Sequence, residues 1–173
     1  VLYAGGDVTS DENSKSALIK STDGGETWEP VIGYDDLGLF DQTTKWPTWT
    51  ENIARSAMDG AYQTQNGVAN IVISDGKVYV GTSKSGVANV HVASTKDDKF
   101  TALSEELPTD LYPSRLIADA KGRIIITYMA GLAFAGGSGG AYRYDPADGS
   151  LTDIAPTGNG FGEIYPDPKN PDR

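Results

Sequence analysis

Short apolar runs, each closed by a turn signal, recur along this chain in a fixed order. In three places a run rich in β-branched and aromatic residues is followed by a loop, a second such run and a turn. The paired runs are 2–5 with 17–20, 78–81 with 90–93, and 124–128 with 140–144. Runs of this kind, bounded by Gly, Asp and Pro, predict β-strands and not helices.

A further apolar run precedes the second and the third of these pairs. The two runs are 69–73 and 114–118, and the hairpin signals Asp75-Gly76 and Lys121-Gly122 follow them. About 47 residues separate Tyr79 from Ile126, which stand at matching positions. This spacing is typical of a four-stranded propeller blade.

With the strands of a blade labelled A to D, the chain reads B-C-D, A-B-C-D, A-B-C-D, A. The sequence therefore predicts an all-β fold, a β-propeller of four-stranded antiparallel blades with about three of a probable seven present. The predicted segments are 1–33 (strands B-C-D), 34–66 (a long loop insertion), 67–107 (second blade), 108–157 (third blade) and 158–173, where a strand at 161–165 starts the next blade.

Three blades do not close a ring, because propellers typically have four to eight. An open arc would expose apolar faces and strand edges. We therefore expect the remaining blades to lie on missing sequence or on another chain, and the alternative is self-association. The strand-like residues 1–6 and the turn-like residues 167–173 favour the expectation that this is a piece of a larger protein.

The most specific motif is Ser21-Thr22-Asp23-Gly24-Gly25-Glu26-Thr27-Trp28, which fits the pattern Ser-x-Asp-x-Gly-x-Thr-Trp at every fixed position. It predicts a hairpin turn in which Asp23 accepts backbone hydrogen bonds and the two glycines adopt positive φ. Trp28 is expected to pack the turn onto the hairpin. The motif resembles the Asp-box, or BNR repeat, of sialidases, sortilins and xyloglucan-degrading glycosidases. That resemblance implies a structural role for Ser21, Asp23, Gly25, Thr27 and Trp28, and residues 96–100 resemble a shortened copy.

Composition excludes several classes of function. The formal charge of −10 and the absence of clustered Lys and Arg argue against a nucleic-acid partner. No apolar run reaches the roughly twenty residues that a membrane span needs, so we expect no membrane partner. The chain has no cysteine, and its single histidine, His91, falls in a predicted strand. We therefore expect no Ser-His-Asp triad, no metal site and no cofactor.

The long insertion is the first candidate for binding. Trp28 and Tyr79 are about 51 residues apart, whereas Phe100 and Ile126, at the corresponding positions, are only about 26 apart. The extra residues fall in a connection from strand D to strand A, on the propeller face opposite the Asp-box turn, and long loops are often functional. The insertion holds Trp46, Trp49 and Tyr62, and we predict that these rings stack on sugars. The alternative is that the tryptophans pack the loop onto its own blade.

A glycine-rich loop on the same face is the second candidate. It runs from Tyr128 to Gly140, and we predict that Tyr128 and Phe134 add platforms for sugar rings. It is not a phosphate-binding loop, because no Lys-Ser/Thr pair follows the glycines and no helix is expected after them.

Several stretches beyond the turn motif resemble the xyloglucanases of glycoside hydrolase family 74. The stretches are 124–128 with its glycine loop, 139–146 with 151–156, and 167–172. The resemblance implies a secreted enzyme in which two seven-bladed propellers face each other across a cleft. Such enzymes hydrolyse β-1,4-glucan backbones, mainly of xyloglucan, with inversion by an aspartate base and an aspartate acid.

The catalytic residues are not identified in this chain. The family's base aspartate precedes a Gly-Gly-x-Tyr-Arg-Trp stretch, and Gly137 occupies its place here. On this interpretation the segment supplies walls of a polysaccharide cleft and not the catalytic pair. The alternative is a non-catalytic Asp-box propeller that binds polysaccharide or protein, as sortilin-like proteins do.

Overall fold

The fold was analysed in a computed structural model, which describes residues 1–5, 16–33, 68–82, 87–129, 139–155, 164–170 and 172. The described residues form eleven strands: β1 (Leu2–Gly5), β2 (Ser16–Ser21), β3 (Glu29–Gly33), β4 (Val68–Ser74), β5 (Lys77–Thr82), β6 (Val90–Ser94), β7 (Thr101–Ala102), β8 (Tyr112–Ala118), β9 (Ile124–Met129), β10 (Gly139–Tyr144) and β11 (Leu151–Asp153). None of the described segments is a helix long and apolar enough to cross a bilayer.

The strands form three antiparallel sheets whose order follows the chain. The first sheet is β1-β2-β3, the second is β4-β5-β6-β7 and the third is β8-β9-β10-β11. This is the predicted pattern of one blade without its A strand followed by two complete blades, and the all-β fold is confirmed. The predicted next strand is not seen in its described part, since Ile164 and Tyr165 are outside any strand and a bridge between Asp167 and Asn170 follows.

A tight hairpin connects the first two strands of the second sheet. Ser74 pairs with Lys77, which leaves Asp75 and Gly76 as a two-residue loop. Both have positive φ, 47° for Asp75 and 73° for Gly76. This is a type I′ turn, whose twist matches that of the flanking strands.

Two apolar cores lie between the sheets. The core between the first and second sheets contains Leu18, Ile32, Val68, Val78, Val80 and Ala93. The core between the second and third sheets contains Tyr79, Val90, Leu103, Leu107, Leu116, Ile124, Ile126 and Tyr128. Side chains alternate between the two faces of a strand, so Val78 and Val80 of β5 face one core and Tyr79 faces the other. This is why residues 78–80 of β5 are apolar without interruption.

A similar irregularity occurs in both complete blades, one pairing step nearer to the hairpin in the third sheet than in the second. The pairing of β4 with β5 shifts by one residue between Val68 and Asn70, and the pairing of β8 with β9 shifts between Pro113 and Arg115. In each blade one extra residue of the first strand therefore lies opposite the end of the second strand, as in a β-bulge.

Candidate functional site

Each sheet has two ends, which the antiparallel order makes different. We call one the turn end: it carries the connections 22–28, 75–76, 95–100, 119–123 and 145–150. We call the other the loop end: it carries the connections that leave β1, β3, β5, β7 and β9. The two candidate loops of the sequence analysis both belong to the loop end.

At the turn end, the motif around Asp23 folds as a closed hydrogen-bonded turn. Asp23 Oδ1 accepts hydrogen bonds from Ser21 Oγ (2.7 Å) and Thr27 N (3.0 Å), and Asp23 Oδ2 accepts one from Thr27 Oγ1 (2.5 Å). Ser21 Oγ in turn accepts from Gly25 N at 2.8 Å. The hydrogen bonds from Thr27 and Ser21 hold the pKa of Asp23 well below its usual range. Both carboxylate oxygens of Asp23 accept hydrogen bonds that close the turn. Asp23 therefore does not have the features of a catalytic acid.

Trp28 closes the same turn from the side. Its Nε1–H donates to the Gly25 carbonyl at 3.2 Å, and the residue is 39% exposed. The indole therefore covers the turn but is not a buried anchor.

The turn of residues 95–99 joins the first two blades, a role that the sequence analysis did not foresee. Asp98 accepts hydrogen bonds from Tyr3 Oη (2.5 Å) and Lys20 Nζ (2.6 Å), and Lys20 Nζ also donates to the Thr95 carbonyl at 2.8 Å. Burial, together with the Asp98 carboxylate, raises the pKa of the Tyr3 hydroxyl. The ring of Tyr3 also lies 5.6 Å from Lys20 Nζ, within cation–π range.

A second ionic cluster lies at the turn end of the third blade. The buried carboxylate of Asp119 accepts from Arg123 Nε at 2.6 Å, and from the backbone amides of Lys121 (2.8 Å) and Arg123 (3.0 Å). Burial raises the pKa of Asp119, but these hydrogen bonds outweigh it and the net pKa is lowered. Asp172 joins the cluster through Arg123 Nη1 at 2.7 Å. The bridge segment that follows the third blade is therefore tied to that blade.

At the loop end, a buried polar network is centred on Asn89, which is 1% exposed. Its Nδ2 donates to the Leu111 carbonyl at 2.7 Å, and its Oδ1 accepts from Tyr128 Oη at 3.3 Å. Its backbone carbonyl accepts from Thr82 N at 2.8 Å. One side chain thus joins the β5–β6 connection, the β7–β8 connection and the strand that leads into the glycine-rich loop.

Tyr142 and Asp110 bring polar groups to the same end. Tyr142 of β10 is half-buried and lies edge-on to Tyr128, with ring centroids 5.7 Å apart. Burial and the carboxylates of Asp153 and Asp110 raise its pKa. Its hydroxyl is therefore a neutral hydrogen-bond donor with carboxylates nearby.

The described part of the chain does not bring together the residues that were predicted to stack on sugars. Trp46, Trp49, Tyr62 and Phe134 lie outside them. Tyr128 is 0% exposed, so its ring has no face open to a sugar, and we correct that expectation. The sequence could have indicated this burial, because Tyr128 lies on the same face of the strand as Ile124 and Ile126, and both are buried in the same core.

Within the described ranges, no group of three or more His, Cys, Asp or Glu side chains is placed to hold a metal ion. His91 lies buried in β6, where its Nδ1 has no hydrogen-bond partner. The desolvation of the ring lowers its pKa. The site therefore consists of the loop end itself, with its buried network and its two polar groups.

Comparison with known proteins finds xyloglucanases among the similar proteins. No protein-family model matches the chain. The chain is 25% identical over 169 residues to a xyloglucanase from Hypocrea jecorina (strain QM6a), a match that covers 91% of this chain and 19% of that protein.

Two solved structures share its fold. The GH74 xyloglucanase from Xanthomonas campestris matches with a TM-score of 0.60 and 21% identity, over 91% of this chain and 23% of that one. A GH74 enzyme from Niastella koreensis matches with a TM-score of 0.56 and 23% identity, over 83% of this chain and 19% of that one. The chain spans about a fifth of the length of the relatives that it matches. In sequence and in fold, it resembles a β-propeller segment of the GH74 xyloglucanases.

Proposed function

We propose that this chain is a segment of a secreted glycoside hydrolase that acts on β-1,4-glucans such as xyloglucan. In this proposal the enzyme inverts the anomeric centre with two aspartates, which lie outside this segment. The segment supplies part of the substrate cleft through its loop end, and the remaining blades lie elsewhere in the protein or on another chain.

The observation that carries the proposal is the match to the Hypocrea jecorina xyloglucanase over 91% of this chain. The propeller fold shared with two GH74 enzymes supports it. The loop end adds a physical argument. The network around Asn89 fixes the bases of two connections, and Tyr142 and Asp110 offer a donor and an acceptor of the kind that sugar hydroxyls require.

The first test concerns the insertion. We expect Trp46→Ala and Trp49→Ala to weaken binding to xyloglucan by roughly five- to tenfold each, the effect of losing an aromatic contact. Affinity electrophoresis in gels that contain xyloglucan measures this directly. Trp28→Ala is the matched control, because Trp28 lies at the turn end. Equal affinity in all four proteins would contradict a role for the insertion.

The second test concerns catalysis. The protein that carries this chain is incubated with xyloglucan, and the anomeric configuration of the new reducing ends is followed by NMR. The proposal expects the inverted anomer to form first, as with two carboxyl groups far enough apart to admit a water molecule. Initial formation of the retained anomer would contradict the inverting mechanism. Secretion is a separate point, and recovery of the protein only inside cells would contradict it.

A non-catalytic binding propeller is the second candidate, and Gly137 favours it. A glycine stands where the resembling motif of the hydrolases has its base aspartate. Binding to xyloglucan without release of reducing ends would support this candidate over the hydrolase.

A further inference from the structure

A buried histidine lies on the face of the second sheet that packs against the first. His91 of β6 is 5% exposed, and its Nδ1 has no hydrogen-bond partner. His91 pairs with Val80 of β5 and lies two residues before Ala93, and both of these belong to the core between the two sheets. Because side chains two residues apart lie on one face of a strand, His91 faces the first sheet.

His91 lies in the half of this interface that is nearer to the loop end, since it follows the β5–β6 connection. In the same half of the first sheet, Leu18 of β2 pairs with Ile32 of β3, and both are buried. A neutral imidazole carries a hydrogen atom on only one of its two nitrogens, so it can be buried among apolar side chains at moderate cost.

The charged and titratable side chains of the first sheet that share this interface lie at its turn end. Tyr3 of β1 and Lys20 of β2 both donate to Asp98, at 2.5 Å and 2.6 Å. Glu29 of β3 pairs with Lys20 and is exposed. These groups hold the two sheets together at the turn end and leave the half that contains His91 apolar in the described residues.

The second sheet itself places no charge beside His91. The described strands β4 and β7 have no charged residue. Lys77 and Tyr79 of β5 alternate with Val78 and Val80, so they lie on the opposite face of the sheet. Burial lowers the pKa of His91. Within the described ranges, the ring therefore has no carboxylate that would stabilise its charged form.

Protonation makes the closed interface unfavourable. An imidazolium has an N–H on both nitrogens, so Nδ1–H becomes a buried donor without an acceptor on a ring that now carries a charge. Proton uptake therefore favours a state in which water reaches the ring. The first sheet is the easier one to separate. Six described apolar residues are buried in its core with the second sheet, against eight in the core between the second and third.

We propose that proton uptake by His91 opens the interface between the first two sheets at the loop end, so that the chain contains an acid-operated opening between two blades. The proton comes from solvent, and water supplies the acceptor for the new N–H. The turn end stays joined through Lys20 and Asp98 and acts as the hinge. Because β3 and β5 each lead into the loop end, the opening changes the distance between two of its connections.

The first experiment measures amide hydrogen exchange of the full chain at pH 7.5 and pH 5, corrected for the intrinsic effect of pH on exchange. A three-stranded sheet that has lost its packed face is only marginally stable, so its amides exchange. We expect exchange at residues 16–33 to rise relative to residues 124–129 of the third sheet. The ceiling is about thirtyfold, set by one imidazole whose pKa is about 6.5 when solvated. An equal rise in both segments would indicate global unfolding, and a rise below about twofold would show no opening; either result would overturn the proposal.

The second experiment assigns the effect to His91. His91→Leu keeps an apolar side chain but cannot take up a proton, so the rise in exchange between pH 7.5 and pH 5 should disappear. If His91→Leu does not fold, His91→Asn is also unable to titrate and should show the same loss. A rise that persists in the folded variant would overturn the proposal.

Asp98→Asn is the matched control, because it removes a charge from the same interface without changing His91. It should raise exchange at residues 16–33 at both pH values, since it weakens the hinge, but keep the rise between them. Loss of that rise in Asp98→Asn would assign the opening to the ion pair and overturn the role of His91. The readout is amide exchange and not hydrolysis, so failure of the proposed function leaves this proposal standing, and the reverse holds.

Discussion

The two ends of these blades are held together by different kinds of hydrogen bond. At the turn end, the bonds around Asp23 and Asp119 that close the turns join residues no more than four positions apart. At the loop end, the bonds of Asn89 reach 22 residues to Leu111 and 39 residues to Tyr128. The turns around Asp23 and Asp119 are thus closed by local bonds, although Asp98 at the same end also joins two blades through Tyr3 and Lys20. The network around Asn89, in contrast, forms only when two blades pack together.

This difference indicates that the two ends have different roles. The hydrogen bonds that close the local turns do not involve the connections at the loop end. The loop end is therefore able to carry insertions such as residues 34–66 while the turns remain short. The long-range network then fixes the bases of the connections at the end where binding is proposed. Four predictions test the division, from the largest expected effect to the smallest.

Asp119→Ala is expected to give the largest loss of stability. The change removes the partner of Arg123 Nε from a buried ion pair and leaves two backbone amides without their acceptor. Breaking such a pair costs about 3 kcal/mol of the free energy of unfolding. Urea denaturation at neutral pH measures it. A loss below about 1 kcal/mol would show that the cluster is not important for stability.

Asn89→Ala is expected to cost about 2 kcal/mol, because the Leu111 carbonyl and the Tyr128 hydroxyl lose their partner in a buried site. In contrast to Asp119→Ala, it should also speed limited proteolysis of residues 103–111, since the bond to Leu111 fixes that connection. Equal cleavage rates in the two variants, compared at equal stability, would contradict the proposed division between the ends.

His91 lies between the two ends and gives a test by pH. Its pKa is lowered by burial in the folded chain, whereas in the unfolded chain it is close to 6.5. The unfolded chain therefore takes up a proton first as the pH falls below about 6.5, and stability declines by at most about 1.4 kcal/mol per pH unit. Denaturation between pH 7.5 and 5 measures the slope, and His91→Leu should flatten it. A variant with the same slope as the parent would assign the pH dependence to other groups.

Asp23→Ala is expected to have the smallest effect, because the turn is exposed and its bonds are local. The melting temperature should fall less than with Asn89→Ala, and Asp23→Asn should recover part of the loss since it keeps an acceptor oxygen. A larger fall than with Asn89→Ala would mean that this turn contributes more to folding than its exposure indicates.

The sequence was sufficient to predict what depends on neighbouring residues. The strand order and the Asp75-Gly76 hairpin follow from alternation and turn chemistry, and both are present in the structure. Contacts between blades were beyond such reasoning, because Tyr3 and Asp98 are 95 residues apart and nothing near either one indicates the other. Tyr128 was misjudged for a related reason. A loop was expected to begin at this residue, but its side chain is buried in the same core as those of Ile124 and Ile126.

The repeated shift in strand pairing bears on how this chain arose. Each complete blade has one extra residue near the same end of its first strand, next to Asn70 in one and Arg115 in the other and one pairing step apart. A common origin of the two blades by duplication would account for this similarity. The copies then diverged unequally: the insertion of about 25 residues before the second blade has no counterpart before the third. A gene segment that encodes one blade would therefore be the unit of inheritance, and the connections at the loop end would be the part on which selection acted most freely.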